Sequence, residues 1–391
     1  MSSTDFFRKE VNELKSKDLD WKIRVLQSRS VPHSVIDGKE MLILCSNNYL
    51  NLSSHPKLVQ AAVNAVKSFG AGSGSVRAIA GTMELHVKLE EKISEFKETQ
   101  DSLYYQTGFS VNAGLIPVLV GKEDLIISDE LNHGSIIDGV RLSKAEKKIF
   151  PHKNYEELKK ILEESEKKFN KILVISDGVF SMDGDIAGLD KISELCRKHN
   201  ALSYVDDAHG DGVLGKGKGI VHHFNLKNKV DIEMGTFSKA FGVVGGYVCG
   251  STDLKEFALN KSRTWLLSGS APPSTVAACI SSLEVVQSEP EHVKNLWDNT
   301  AYWKRKLIEA GFDIGLSETP ITPVMLGESS TARKFSDSLM KKGIFALPIV
   351  FPMVGEGKAR IRSMMNSGLT KEDLDFALEK FEETGKELKL I

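Results

Sequence analysis

Gly235-Thr236-Phe237-Ser238-Lys239-Ala240-Phe241-Gly242-Val243-Val244-Gly245-Gly246 follows an apolar stretch, 230–234, that reads as a strand. It sets one lysine among small and hydroxylated residues just beyond a strand's carboxyl end, where open α/β sheets place their ligands. Most lysines are solvated surface charges and most hydroxyl-rich turns are only turns, so Lys239 gains meaning from what the rest of the chain sets beside it. Its amine suits an aldehyde cofactor whose phosphate is held by neighbouring hydroxyls and backbone N–H groups, and pyridoxal 5'-phosphate (PLP) has both features.

Working outward, Ala201-Leu202-Ser203-Tyr204-Val205 reads as a buried strand and delivers Asp206-Asp207-Ala208-His209-Gly210 at its carboxyl end. Asp206 suits a protonated pyridine nitrogen, whose charge makes the ring a sink for electrons from a substrate α-carbon, and His209 suits the ring's phenolic oxygen. A surface turn explains the acidic pair too, with His209 a satisfied loop histidine. A metal held by Asp206, Asp207 and His209 has no supporting ligand spacing, and the scattered Cys45, Cys196, Cys249 and Cys279 add no metal motif, so none is expected.

Gln106-Thr107-Gly108-Phe109-Ser110 follows Leu103-Tyr104-Tyr105 and opens a helix, making Thr107, Gly108 and Phe109 candidates for a phosphate cup; plain N-capping by Thr107 gives the same pattern. After Leu125-Ile126-Ile127 comes Ser128-Asp129-Glu130-Leu131-Asn132-His133-Gly134-Ser135, where the flat imidazole of His133 suits stacking on a cofactor ring. Gly210-Asp211-Gly212-Val213-Leu214-Gly215 fits GxGxxG, but the following Lys216-Gly217-Lys218-Gly219 is poor helix material. A dinucleotide is therefore a weak reading, and no P-loop sequence supports ATP.

The 391 residues include 41% apolar side chains, enough for one large core and a smaller one. Lys and Arg number 51 against 53 Asp and Glu, a formal net charge of -2 that gives no bulk attraction to nucleic acid or anionic membranes. Polar first residues and the lack of an apolar run of about 18 point to a cytoplasmic protein. Helix spacing at Leu85, Leu89, Ile93 and Phe96, a strand at 171–176 and a helix on each side of it imply an α/β fold with a mostly parallel sheet. From residue 290 a long helix leads into a compact α+β region. The expected division is an N-terminal segment 1–57, a large domain 58–289 and a C-terminal domain 290–391.

In order, Cys45-Ser46-Asn47-Asn48-Tyr49-Leu50, Val76-Arg77-Ala78-Ile79-Ala80-Gly81-Thr82, Phe180-Ser181-Met182-Asp183-Gly184-Asp185, Thr236-Phe237-Ser238-Lys239 and Ala359-Arg360-Ile361-Arg362 resemble the α-oxoamine synthase family of fold-type I PLP enzymes, over almost the whole chain. The resemblance implies a homodimer whose subunits share each active site. Carried over by motif, it implies that Lys239 bonds the cofactor aldehyde, Asp206 binds the ring nitrogen and His133 stacks on the ring. Ser181 and His209 would attend the phenolic oxygen, Thr236 would hold phosphate beside Gly108 and Phe109, and Ser268 and Ser270 would serve the partner's phosphate site. Asn47 and Arg362 would hold the substrate carboxylate; Arg360 and Arg362 are expected not to share one cleft, and the resemblance selects Arg362.

The family condenses a small amino acid with an acyl-CoA. Asn47-Asn48-Tyr49, Val76-Arg77 and the residues at 132–142 look like glycine C-acetyltransferase (2-amino-3-ketobutyrate CoA ligase), which implies glycine and acetyl-CoA as substrates in threonine catabolism. The alternative is an 8-amino-7-oxononanoate synthase, which usually has serine at the position of Val76, or a broad-specificity synthase using a longer acyl thioester. Thr236-Phe237-Ser238-Lys239 resembles longer-acyl members. An aminotransferase and a binding-only subunit are weaker readings. Asn51, for the usual glycine, and Asn366-Ser367-Gly368-Leu369-Thr370, for an Ala-Ala-His-Thr segment, depart from the family pattern and bear on the acyl donor.

Overall fold

The computed structural model describes residues 3–16 and 19–391, so residues 1–2 and 17–18 of the expected N-terminal segment lie outside the described residues. The central sheet has seven strands in the spatial order Asp101–Tyr105, Gly246–Gly250, Ile232–Thr236, Leu202–Asp206, Ile172–Asp177, Leu125–Asp129 and Glu146–Phe150. From Ile232–Thr236 to Glu146–Phe150 the neighbours are parallel, while Gly246–Gly250 runs against both of its neighbours. Every residue of Leu125–Asp129, Ile172–Asp177 and Ile232–Thr236 is buried. Strands covered on both faces have this unbroken apolar character, which is why they read as runs and not as alternation.

The covering helices follow from helical spacing: Leu189, Ile192, Ser193 and Cys196 form the buried face of Leu189–Lys198, and Leu158, Ile161, Leu162 and Ser165 that of Tyr155–Ser165. The parallel strands all end on one side. The chain leaves them towards Thr107, His133, Ser181, His209 and Lys239, so the sheet gathers residues far apart in sequence. The strand expected at 230–234 runs Ile232–Thr236 and that at 201–205 runs Leu202–Asp206, because pairing continues to Asp206↔Met234 and Thr236↔Gly246. Asp206 and Thr236 thus occupy the last, rigidly paired positions of their strands.

The turn carrying Lys239 is equally fixed. Phe237 and Phe241 are fully buried, their rings 5.2 Å apart, and Phe237 also packs on Tyr247 at 5.5 Å. Burial of each phenylalanine contributes about 2–3 kcal/mol, so the lysine stands on two anchors. Gly242, at φ 70°, closes the turn; a Cβ there would lie 2.4 Å from Ser53 N.

The second region pairs Ile321–Gly327 and Pro348–Ile349 on either side of Ala359–Met364, all antiparallel, with helices Glu291–Glu309, Ser329–Lys341 and Lys371–Glu387. The hairpin His33–Ile36 and Lys39–Ile43 joins it, because Ile344–Phe345 pairs parallel to Lys39–Ile43. The GxGxxG segment ends in a single tight turn at Gly215–Gly217 and a four-residue helix, Ile220–His223, in place of the long helix a dinucleotide needs. Among the described residues, no helix is long and apolar enough to cross a membrane.

Candidate active site

At the carboxyl ends of the strands lies a cavity of about 220 Å³. Its wall contains Thr107, Gly108 and Phe109 from one helix start, His133, Ser181, Asp206 and His209, and Thr236 and Lys239 from the opening stretch. Nine of the thirteen candidate residues therefore meet in one place. A larger cavity, about 570 Å³, lies near the first residues of two strands, Leu202 and Ile232. That is the wrong end of the sheet for a ligand of this fold.

Asp206 is 3% exposed and accepts from Asn112 Nδ2 at 2.7 Å and from the Ala208 N–H at 3.0 Å. Asn112 in turn accepts from the Tyr204 hydroxyl at 2.6 Å and donates to Ser135 Oγ at 2.9 Å, which lies 2.7 Å from His133 Nδ1. One amide therefore sets both the carboxylate and the imidazole. His133 is exposed at the cavity wall, its backbone N–H donating to Asp177 Oδ2 at 2.7 Å. Asp177 also lines the cavity; burial, and then the Asp206 charge, push its pKa well above the usual carboxylate value.

Burial pulls Lys239 below the ordinary lysine pKa, and the charges of Asp206 and Asp177 offset only part of that effect. Burial, then the Lys239 charge, also hold His209 well below the ordinary histidine value, so its ring is neutral near pH 7. The hydroxyl of Tyr49, kept protonated by burial, lies 2.7 Å from His209 Nδ1 and hydrogen-bonds to it. That bond ties down one ring nitrogen and leaves the other, Nε2, for a ligand.

The helix start fits an anion. Thr107 Oγ1 caps it by accepting from the Ser110 N–H at 3.1 Å, and the N–H groups of Gly108 and Phe109 have no carbonyl of their own helix to bond. A Cβ on Gly108 would come within 2.8 Å of Met234 Cε and 3.4 Å of Thr236 Oγ1. Glycine keeps that backbone close to the threonine. An amine of lowered pKa, a buried carboxylate, an imidazole and an anion cup on one cavity are the groups that an aldehyde, a ring nitrogen, a ring face and a phosphate require, so the residues present fit PLP.

Asn47, Arg362, Ser268 and Ser270 are outside this wall. Asn47 Oδ1 is buried without a partner among the described residues. Ser270 bonds back to Ser73 Oγ at 2.5 Å and Ser75 O at 3.0 Å, and Gly269 pairs with Val76. Arg360 and Arg362 stand two apart and therefore share a strand face, which corrects the expectation that they would be kept apart. Arg360, 2% exposed, donates to Met182 O at 3.0 Å and Asp183 Oδ1 at 2.5 Å; Arg362 donates to Ser181 O at 2.9 Å. Among the described residues no carboxylate pairs with Arg362, and its charge reaches His209 and Lys239.

The two departures at Asn51 and residues 366–370 meet each other. Asn51 adopts the left-handed backbone, φ 56°, that asparagine tolerates, and a Cβ on Gly368 would lie 2.4 Å from its Nδ2. Asn366 Nδ2 donates to Asn48 O at 2.5 Å, and the Ser367 N–H to Tyr49 O at 2.8 Å. Together they brace the Tyr49 segment that holds His209.

The sequence pattern described as Aminotransferase class I and II matches residues 39–381. An 8-amino-7-oxononanoate synthase of Symbiobacterium thermophilum is 50% identical over 100% of both chains, and one of Thermoanaerobacter pseudethanolicus is 49% identical over 99% of this chain and 98% of its own. Among solved structures, a serine palmitoyltransferase from S. paucimobilis with bound PLP–myriocin aldimine superposes at TM-score 0.93, with 29% identity over 99% of this chain and 98% of that one.

These full-length relatives overturn the expectation of a glycine C-acetyltransferase using acetyl-CoA in threonine catabolism. Val76 weighed against the synthase, yet it is off the cavity wall with its backbone bridged to Gly269. The residues at 132–142 supply His133 and Ser135 to the cofactor side of the cavity. Neither segment reports the length of an acyl group.

Proposed function

The chain belongs to the class I and II aminotransferase family, as a PLP-dependent enzyme of the α-oxoamine synthase type, and from that premise we propose that it is an 8-amino-7-oxononanoate synthase. The carrying observation is half identity along the entire length to proteins of that name. The product's own structure names its parts. Carbons 1–7 of 8-amino-7-oxononanoate are a pimeloyl group, and the remaining CH(NH₂)CH₃ is alanine without its carboxylate. The proposed reaction joins a pimeloyl thioester to alanine and releases carbon dioxide and the free thiol.

Bound PLP would supply the electron sink for a carbanion at the amino acid's α-carbon. Lys239, whose burial makes it a weaker base than an ordinary lysine, takes and returns the α-proton. Asp206, oriented by Asn112, fixes a proton on the ring nitrogen, and His133 covers one ring face. Thr236 and the backbone at Thr107, Gly108 and Phe109 take the phosphate. His209 and Ser181 take the phenolic oxygen, while Arg362 and Asn47 receive the amino acid's carboxylate. In this reading Ser268 and Ser270 act in the partner's site, within a cytoplasmic homodimer whose units divide at residues 57 and 289; exposed Phe109 and Leu267 suit a covered face.

The test is thiol and carbon dioxide release by the PLP-loaded protein. Pimeloyl-CoA with alanine is expected to exceed acetyl-CoA with glycine in kcat/KM by at least about 100-fold. The reverse preference refutes the proposal.

A further inference from the structure

His55, Glu289 and His292 converge outside the cavity, where three helices meet. His55 precedes Pro56–Phe69, Glu289 follows Pro273–Ser288, and His292 sits in the first turn of Glu291–Glu309. We propose that these three side chains form a site for a divalent transition metal of the zinc type.

Both imidazoles aim Nε2 at the same carboxylate oxygen, Glu289 Oε2, from 3.3 Å for His55 and 3.2 Å for His292. Charge-assisted hydrogen bonds run shorter, about 2.7–2.9 Å. The ligands of a tetrahedral ion with bonds of about 2.0–2.1 Å stand about 3.3 Å apart, which is the spacing of these pairs. All three ligand atoms lie within 4.8 Å of one another, and each residue is partly buried. Two histidines and a carboxylate suit a borderline cation, with one position left for water.

The surroundings favour this role for the glutamate. Lys57 Nζ holds Glu289 Oε1 at 2.6 Å, which orients the carboxylate and leaves Oε2 facing the two rings. His55 Nδ1 accepts from the Lys57 N–H at 3.3 Å, capping Pro56–Phe69. A metal on Nε2 puts the ring's proton on Nδ1, so this long bond is released. In exchange, the start of one helix is joined to the turn between two others. The absence of metal expected from sequence weighed Asp206, Asp207, His209 and the cysteines; Glu289 and His292 stand three positions apart, but their third partner, His55, lies 234 positions before Glu289.

The PLP-loaded protein, stripped with a chelator and dialysed, is titrated with ZnCl₂ by calorimetry and with CoCl₂ by visible absorption. One equivalent per chain is expected, with Kd about 10 μM or tighter, a tetrahedral Co²⁺ spectrum and a higher thermal midpoint at saturation. His292→Gln, Glu289→Gln and His55→Asn, the last keeping a capping side chain, are each expected to weaken zinc more than ~100-fold. Lys57→Met, which leaves the Glu289 carboxylate free to turn, is expected to weaken it by about 10-fold. No saturable zinc binding, or binding unchanged in His292→Gln and Glu289→Gln, overturns the proposal.

Discussion

Two lysine and carboxylate clusters stand on opposite sides of the Asp206-Asp207 step, and they behave in opposite ways. Lys97 is fully buried with Asp211 at 2.7 Å, Asp207 at 3.3 Å and Glu233 in direct contact, and it also donates to Lys218 O at 2.7 Å. Burial works against its charge, but Asp211, Glu233 and Asp207 outweigh it and hold the amine well above the ordinary lysine pKa. Lys239 feels Asp206 and Asp177 but pairs with neither among the described residues, and burial prevails. The same residue types make a fastener where charge is matched at contact and leave a less basic amine, suited to the proposed chemistry, where it is not. Consecutive residues leaving a strand point to opposite sides, so Asp206 serves one cluster and Asp207 the other.

The sharpest way to break this contrast is to remove each amine. Lys239→Ala is expected to lower turnover by more than ~1,000-fold while leaving the urea midpoint unchanged or raised, since an unmatched buried amine is lost. A large loss of stability would make Lys239 a fastener too. Lys97→Met leaves three buried carboxylates without their ammonium and is expected to cost about 3–5 kcal/mol in urea unfolding. If the folded fraction loses activity as completely as Lys239→Ala, the division of labour fails.

Smaller changes sharpen it. Asp206→Asn is expected to keep PLP, followed by its absorbance, and to slow exchange of the amino acid's α-proton about 100-fold or more; unchanged exchange would remove the carboxylate from the electronic role. Asn112→Ala frees both Asp206 and Ser135 and is expected to reduce kcat about tenfold, with near-normal PLP retention. The smallest effect is on pH. Only the neutral amine attacks an aldehyde, so PLP uptake by the apo-protein should reach half its maximum rate below pH 10.5, the ordinary lysine value. The Asp206 charge raises the Lys239 pKa, so Asp206→Asn should move that midpoint lower still. A shift upward contradicts the assignment.

Much of the candidate site was legible because the inner parallel strands Leu125–Asp129, Ile172–Asp177, Leu202–Asp206 and Ile232–Thr236 are almost wholly buried runs and the first polar residues beyond them lie on the ligand side. Asp206, His209, His133 and Lys239 all carry that signal. Asp177 carries it too, at the end of Ile172–Asp177, but ending the strand at Ser176 hid it. Asn112 left a fainter trace, a fully buried amide inside the mostly apolar helix Gly108–Leu119, and its partners Tyr204 and Ser135 come from other elements. Acyl preference was misread because the segments used for it lie off the cavity or on its cofactor side. Arg360 and Arg362 were misassigned by a slip in strand periodicity, which places positions two apart on one face.

That shared face has a mechanical result. Two successive guanidinium groups of Ala359–Met364 clasp the carbonyls of Ser181 and Met182, so the C-terminal sheet cannot slide without carrying the Ser181 loop with it. Any displacement felt at the outer arginine is delivered, through one peptide group, to a hydroxyl on the cavity wall.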